Sequence, residues 1–313
     1  MAIKKLLKVR HVYVSHTHID HFVGFDRLLR AYVPHHREIE ICGAPGIVAN
    51  IRGKLAGYTW NLLVKGQINF LLHEVGADFI RSFRLHFVDQ ATGFRLDRVA
   101  ELPAASAVTT FADGSQVYAA LVDHGIPVAT YRLSFPQRYR VRREALDKHD
   151  LKAGEWIKRL QAQVAANASA DNIINVGDKE FKLGWLRDQL LIPQPEFAVS
   201  YLTDLQFNWH NLKQVQKLHH RTTVMFCESA FAAEDRQRAQ NKSHLTTKQC
   251  ALLAAFANAQ QLENFHFSSI YGLDKRRLRG EASDYFKRFK QLAPPELQTE
   301  IHTEMSRCYD KGK

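Results

Sequence analysis

The chain has 313 residues, of which 45% are hydrophobic and 24% charged, enough apolar content for one large α/β domain or two smaller ones. No stretch reaches the roughly 18 apolar residues of a membrane span, and the opening Met-Ala-Ile-Lys-Lys-Leu-Leu-Lys lacks a signal peptide's apolar run and cleavage site, so a cytoplasmic chain with no membrane partner is expected. With 43 Lys and Arg against 32 Asp and Glu the net charge is +11, which favours polyanionic partners without naming one. Cys42, Cys227, Cys250 and Cys308 are far apart and form no C-x-x-C, so neither a disulfide framework nor a thiolate zinc site is indicated and they read as reduced, mostly buried thiols.

The first informative stretch is residues 11–21, His-Val-Tyr-Val-Ser-His-Thr-His-Ile-Asp-His. Val12, Tyr13 and Val14 suit a short buried strand, and His16, His18, Asp20 and His21 follow where a loop can turn them toward one point. Imidazole and carboxylate donors suit zinc, manganese or iron. Four of them are too many for one tetrahedral ion with an open position, so the arrangement suggests two ions sharing a water. A His-rich surface loop is the alternative, and the buried strand leading into it argues against that.

From Phe22 to Tyr32 the pattern predicts a helix with Phe22, Phe25, Leu28 and Leu29 on one face, and Ile39 onward reads as a strand, a turn and a helix start. Residues 83–90 alternate as a strand. Residues 107–122, broken at Asp113-Gly114, read as a hairpin. His124 follows where a strand gives way to a Gly/Pro turn, and by itself such a histidine is more often structural. Residues 137–195 differ in character: the run from Gln137 to Arg143 is basic with Tyr139 inside it, residues 154–164 suit an amphipathic helix, and residues 165–171 are small and of low complexity. We read about 137–195 as a basic insertion in a single 1–313 domain. The basic run has two accounts, an RNA contact or a solvated face.

Phe197 to Asp204 reads as a buried strand ending in a carboxylate, which alone could simply cap the next helix, over residues 207–218. Residues 222–231 form another strand with a polar tip at Cys227-Glu228, and residues 247–260, after His244, are a strong helix by propensity. His266 ends a strand-like segment. Residues 274–289 read as a helix that buries Leu278, Tyr285, Phe286 and Phe289, with its Lys and Arg in water or, second, facing RNA. His35, His36, His73, His86, His210, His219 and His220 show no partner pattern.

Ser15-His16-Thr17-His18-Ile19-Asp20-His21 resembles the H-x-H-x-D-H signature of the metallo-β-lactamase-fold hydrolases. The later elements resemble ribonuclease Z in order. Tyr131-Arg132 stands where that family has Gly-Tyr-Arg, with Thr130 in place of Gly. Thr203-Asp204-Leu205 stands for Gly-Asp-Thr, and Cys227-Glu228-Ser-Ala-Phe for His-Glu-Ala-Thr-Phe. His244 precedes the Ala-rich helix, and His266-Phe-Ser-Ser-Ile270-Tyr271 matches a His-Phe-Ser-x-Arg-Tyr element with Ile270 for Arg. The resemblance covers His11 to Tyr271.

That likeness implies the α/β (α+β) class and an αββα sandwich. Only fifteen residues precede His16, so part of the N-terminal sheet is expected to be lacking and Met1 to be an internal start. The likeness implies two Zn2+ ions (Mn2+ or Fe as substitutes), held by His16, His18 and His124 and by Asp20, His21 and His266, with Asp204 bridging. Asp20, Glu228 and His244 would be catalytic, His244 as general acid held by Glu228. It also implies a homodimer and RNA, a transfer RNA precursor, as partner. Three functions are weighed: an endoribonuclease cutting such precursors on their 3′ side, a hydrolase of small phosphodiesters or other esters, and a binding protein with an inert metal site. The Gly-rich arm of ribonuclease Z is not visible between 137 and 195.

Overall fold

The computed structural model describes residues 3–272 and 274–309. Helix α1 (Ile3–Leu6) leads into β1 (His11–Val14), followed by α2 (Ile19–Phe22), α3 (Gly24–Tyr32), β2 (Glu38–Gly43), α4 (Ile47–Ala56), β3 (Asn69–Val75), β4 (Phe79–Asp89) and β5 (Gly93–Pro103). The five strands form one sheet in sequence order, parallel from β1 to β3 and antiparallel through β5. β1 lies at an edge of that sheet. The periodicity expected from Phe22 to Tyr32 is met by two helices, since the turn at Val23 separates α2 from α3.

Strands β6 (Thr109–Thr110), β7 (Gln116–Asp123) and β8 (Pro127–Ser134) open the second sheet. The chain then builds a separate compact unit, residues 134–198 with 111–115. It contains β9 (Tyr139–Val141), α5 (Arg143–Lys148), α6 (Trp156–Ala165), β10 (Ile173–Val176), β11 (Lys179–Lys182), α7 (Leu183–Leu190) and β12 (Leu191–Pro193). Its own core joins Trp156, Leu160, Leu183, Leu186 and Leu190. Arg138, Arg140, Arg142 and Arg143 are exposed. Tyr139 packs against that core, so less of its ring is free to stack on a base than the sequence suggests.

The chain returns to the second sheet with β13 (Ala198–Leu202), α8 (Trp209–His219), β14 (Val224–Glu228), α9 (Arg236–Asn241), α10 (Thr247–Phe256), β15 (Gln261–Phe265), α11 (Lys275–Lys290) and α12 (Pro294–Tyr309). Its strand order is β15-β14-β13-β8-β7-β6, and β13, β14 and β15 are parallel. The layers follow from alternation along the strands. Ile39 and Ile41 pack with Phe25, Leu28, Ile47 and Ile51 of the helices outside the first sheet. Met225 and Cys227 pack with Leu212, Leu253, Phe286 and Ile301 of the helices outside the second. Between the sheets Tyr131 donates its hydroxyl to Val14 O at 2.7 Å and lies 3.2 Å from Cys42 O. This is the αββα sandwich that the resemblance implies. All four cysteines are free and buried. No described helix is long and apolar enough to cross a membrane.

Candidate metal centre

Parallel pairing puts the carboxyl ends of β13, β14 and β15 on one edge of the second sheet, and each end carries a polar residue: Asp204, Glu228 and His266. The end of β1 brings His16 and then His18, Asp20 and His21 around the short α2, and the β7–β8 turn brings His124. That turn needs Gly125, which sits at φ +83° while its N–H donates to Asp123 Oδ1 at 2.7 Å. Three non-glycine residues here are also in the left-handed region, Asp204 (φ 51°), Ser243 (φ 59°) and His266 (φ 62°). Such backbone costs on the order of 1–3 kcal/mol per residue and persists only where surrounding structure imposes it.

The ligand-type atoms converge on Asp204. Its Oδ2 lies 3.6 Å from His16 Nε2, 3.3 Å from His21 Nε2 and 3.7 Å from His124 Nε2, and its Oδ1 lies 3.4 Å from His266 Nδ1. Two groups have donor atoms within 4.8 Å of one another, His16/His18/His124/Asp204 and Asp20/His21/His266. These are the seven residues singled out in the sequence. A third grouping of the same kind, Asp204/His244/His266, overlaps them. Asp204 does not cap α8. Asn208 does, its side chain accepting from Asn211 N at 2.8 Å.

The chemistry of this set fits a cation. His16 Nε2, His21 Nε2 and His266 Nδ1 are buried with no hydrogen-bond partner, which a protein rarely leaves unexplained. Burial, opposed by Asp204 and assisted by His21, His18 and His124, pushes the His16 pKa down to about 4, leaving the neutral ring that a metal needs. Burial raises the Asp204 carboxyl, but His21, the Thr203 hydroxyl and the charge of His266 outweigh it and hold the group well below the usual carboxylate range. Thr203 Oγ1 donates to Asp204 Oδ1 at 2.6 Å. His124 Nδ1 is 2.7 Å from Ser243 O, which leaves Nε2 facing the cluster.

Beside the cluster, His244 Nδ1 lies 3.0 Å and 3.2 Å from the two oxygens of Glu228. Glu228 is fully buried, and its Oε1 also accepts from Leu205 N at 2.8 Å. Burial works against the charge of both partners, yet each ends up charged more readily than an isolated side chain. The carboxylate raises the His244 pKa, and His244 and His266 lower that of Glu228.

No known family model matches the chain. Among curated proteins, ribonuclease Z of Deinococcus radiodurans is 29% identical over 269 residues, covering 83% of this chain and 76% of that protein. Ribonuclease Z of Bacillus velezensis is 24% identical over 290 residues, covering 90% and 78%. The chain is ribonuclease Z-like over most of its length. Solved structures similar to it include the metallo-β-lactamase-fold protein YhfI of Bacillus subtilis (TM-score 0.49, 13% identity, 90% of this chain and 73% of that one) and human tRNase Z, short form (TM-score 0.45, 13% identity, 86% and 78%).

Against the ribonuclease Z pattern, the sequence missed polar partners that only the fold assembles. His219 is fully buried, with Nδ1 2.9 Å from Ser200 Oγ and Nε2 3.0 Å from the hydroxyl of Thr130, the residue that replaces the family's Gly. His73 Nδ1 is 2.8 Å from Ser82 Oγ and its Nε2 is 3.5 Å from Glu40, whose carboxylate also accepts from Thr109. One set joins β8, β13 and the end of α8, the other β2, β3, β4 and β6, and no local spacing signals them.

Proposed function

We propose that this chain is a dinuclear metal-dependent phosphodiester hydrolase, an endoribonuclease acting on the 3′ side of transfer RNA precursors. One observation carries the reading: three partnerless imidazole nitrogens, of His16, His21 and His266, meet at one buried carboxylate, with a His-Glu pair beside them. In this reading His16, His18 and His124 would hold one zinc ion and Asp20, His21 and His266 a second, with Asp204 shared. When bound, such a pair makes water nucleophilic near neutral pH and polarises a phosphodiester.

The chain's own residues supply the remaining roles. Asp20, whose side chain is 68% exposed, would accept a hydrogen bond from the attacking water. His244 keeps Nδ1 on Glu228 and so offers Nε2–H to the leaving oxygen, while Glu228 holds the ring's orientation and favours its protonated form. The exposed arginines at 138, 140, 142 and 143 would hold RNA phosphates. A cytoplasmic homodimer belongs to the same reading.

The test is to load the protein with zinc and offer it a 3′-extended transfer RNA precursor and, separately, bis-p-nitrophenyl phosphate. Cutting of the precursor at the end of the acceptor stem is the expected result. Hydrolysis of the small diester alone would favour the small-phosphodiester enzyme instead, and no turnover of either would overturn both.

A further inference from the structure

The loop that carries His266 runs beside a set of unpaired cations. α11 packs against β15, with Asn264 Nδ2 donating to Leu278 O at 3.2 Å, so the first turns of α11 stand at the same sheet edge as His266. Arg279 fixes the approach most closely: its guanidinium carbon is 5.6 Å from the ring centroid of Phe267, the residue after His266. Lys275, Arg276 and Arg279 are exposed and, at i, i+1 and i+4, lie toward one side of the helix. Arg277 is different, since Glu234 at 2.9 Å and Asp274 at 3.8 Å neutralise it. Among the described residues no ion pair engages Lys275, Arg276 or Arg279.

Helix stability does not account for these charges. The first turn of α11 holds no acidic side chain, and cations at the amino end of a helix oppose its dipole. Nor does the loop supply a cation of its own. Ile270, 53% exposed, stands where the resembling His-Phe-Ser element has Arg. Arg279 brings a guanidinium back to that loop from a different element.

We propose that Lys275, Arg276 and Arg279 form a phosphate-binding ledge beside the metal centre, which grips the RNA backbone next to the bond being cut. The inference rests on the endoribonuclease reading. A guanidinium matches two phosphate oxygens in one plane, and the face of Phe267 under Arg279 limits the directions in which that fork points.

The test is binding of a labelled 3′-extended transfer RNA precursor to the metal-loaded, full-length protein over a series of salt concentrations. The precursor's scissile P–O bond is replaced by P–CH2, so that binding is read without cutting. The double variant R276Q/R279Q is compared with K287Q/K290Q, which removes the same charge from the last turns of the same helix. R276Q/R279Q should bind roughly ten-fold more weakly, and its log–log salt slope should fall by about 0.7–0.9 for each phosphate that is no longer neutralised. K287Q/K290Q should keep the wild-type slope. Phe267→Leu should weaken binding less than the double variant, and R279K should restore part of the affinity of R279Q. An unchanged affinity and slope in R276Q/R279Q, or equal losses in the two doubles, would overturn the ledge. Cutting of the unmodified precursor by wild type is followed in parallel. A wild type that binds through the ledge but leaves the precursor intact would overturn the endoribonuclease reading and leave the ledge as a nucleic-acid contact.

Discussion

Replacing His244 with alanine separates proton donation from ion binding. The residue lies outside the seven proposed ligands, and a positioned general acid contributes roughly 10²–10⁴-fold, or about 3–5 kcal/mol of barrier. That loss is expected on RNA, whose leaving oxygen is a poor leaving group without a proton. p-Nitrophenolate leaves without one, so on bis-p-nitrophenyl phosphate the loss should stay under about ten-fold. The structure also sets a stability cost. Glu228 is fully buried and would keep the Leu205 N–H at 2.8 Å and, farther off, His266 Nδ1 at 3.8 Å. Removing the charged partner of a buried group costs about 1–3 kcal/mol, a drop of a few degrees in Tm for a chain of this size. Elemental analysis, steady-state rates on both substrates and a thermal melt decide the matter together. Loss of an ion would make His244 a ligand, as the Asp204/His244/His266 grouping permits. Equal rate losses on the two substrates would refute the acid role even with both ions retained.

Asp204→Ala should lower the stoichiometry from two ions per chain, since four imidazole nitrogens face this one carboxylate; undiminished content by elemental analysis would sink the bridging role. Alanine at Arg138, Arg140, Arg142 and Arg143 together should raise KM for precursor RNA and flatten its salt dependence while sparing small-diester hydrolysis, and an unchanged RNA KM would leave those arginines as a solvated face. The His219 pKa is pushed down from 6.5 to about 3 by burial, then by Arg132. Unfolded chains therefore take up this proton below about pH 6.5 while folded ones do not, and stability should fall with pH by up to about 1.4 kcal/mol per unit between there and pH 3. Urea unfolding at pH 7 and pH 5 should show a smaller difference for His219→Gln than for wild type; equal differences would refute the assignment.

What could be read from the sequence was whatever lay close together in it. His16, His18, Asp20 and His21 fall within six positions after a strand, and the propensity of residues 247–260 announced α10, whose start is fixed by a Thr246–Gln249 capping box that the propensity reading passed over. Asp204 and His266 gave weaker signals, because their aim depends on left-handed backbone that no residue type advertises when the residue is not glycine. The Glu40–His73–Ser82 and Thr130–Ser200–His219 groups were invisible for a different reason: strand pairing and packing, not spacing, bring them together. α12 went unassigned. It opens on Pro294-Pro295, which reads as loop until one notes that proline suits a helix's first turn, and its inward residues Ile301, Met305 and Cys308 are thinly spread among polar ones.

The departures from the ribonuclease Z pattern become intelligible once their faces are known. Cys227 takes the place of a histidine, yet it belongs to the cluster that joins β14 to the outer helices, while its neighbour Glu228 meets His244. A change there alters core packing and takes nothing from the cluster around Asp204. Thr130, in place of Gly, puts a hydroxyl 3.0 Å from an otherwise exposed-type side chain, His219, that the fold buries completely; at this position a larger residue answers a polar need in the core. Thr203 and Leu205 replace both neighbours of Asp204, and both still serve the site, one through its hydroxyl on Asp204 Oδ1 and the other through its backbone N–H on Glu228 Oε1. Ile270 is the exception. It is exposed, it removes a cation beside His266, and nothing on its own loop compensates, which is why the guanidinium of Arg279 over Phe267 carries weight as the replacement.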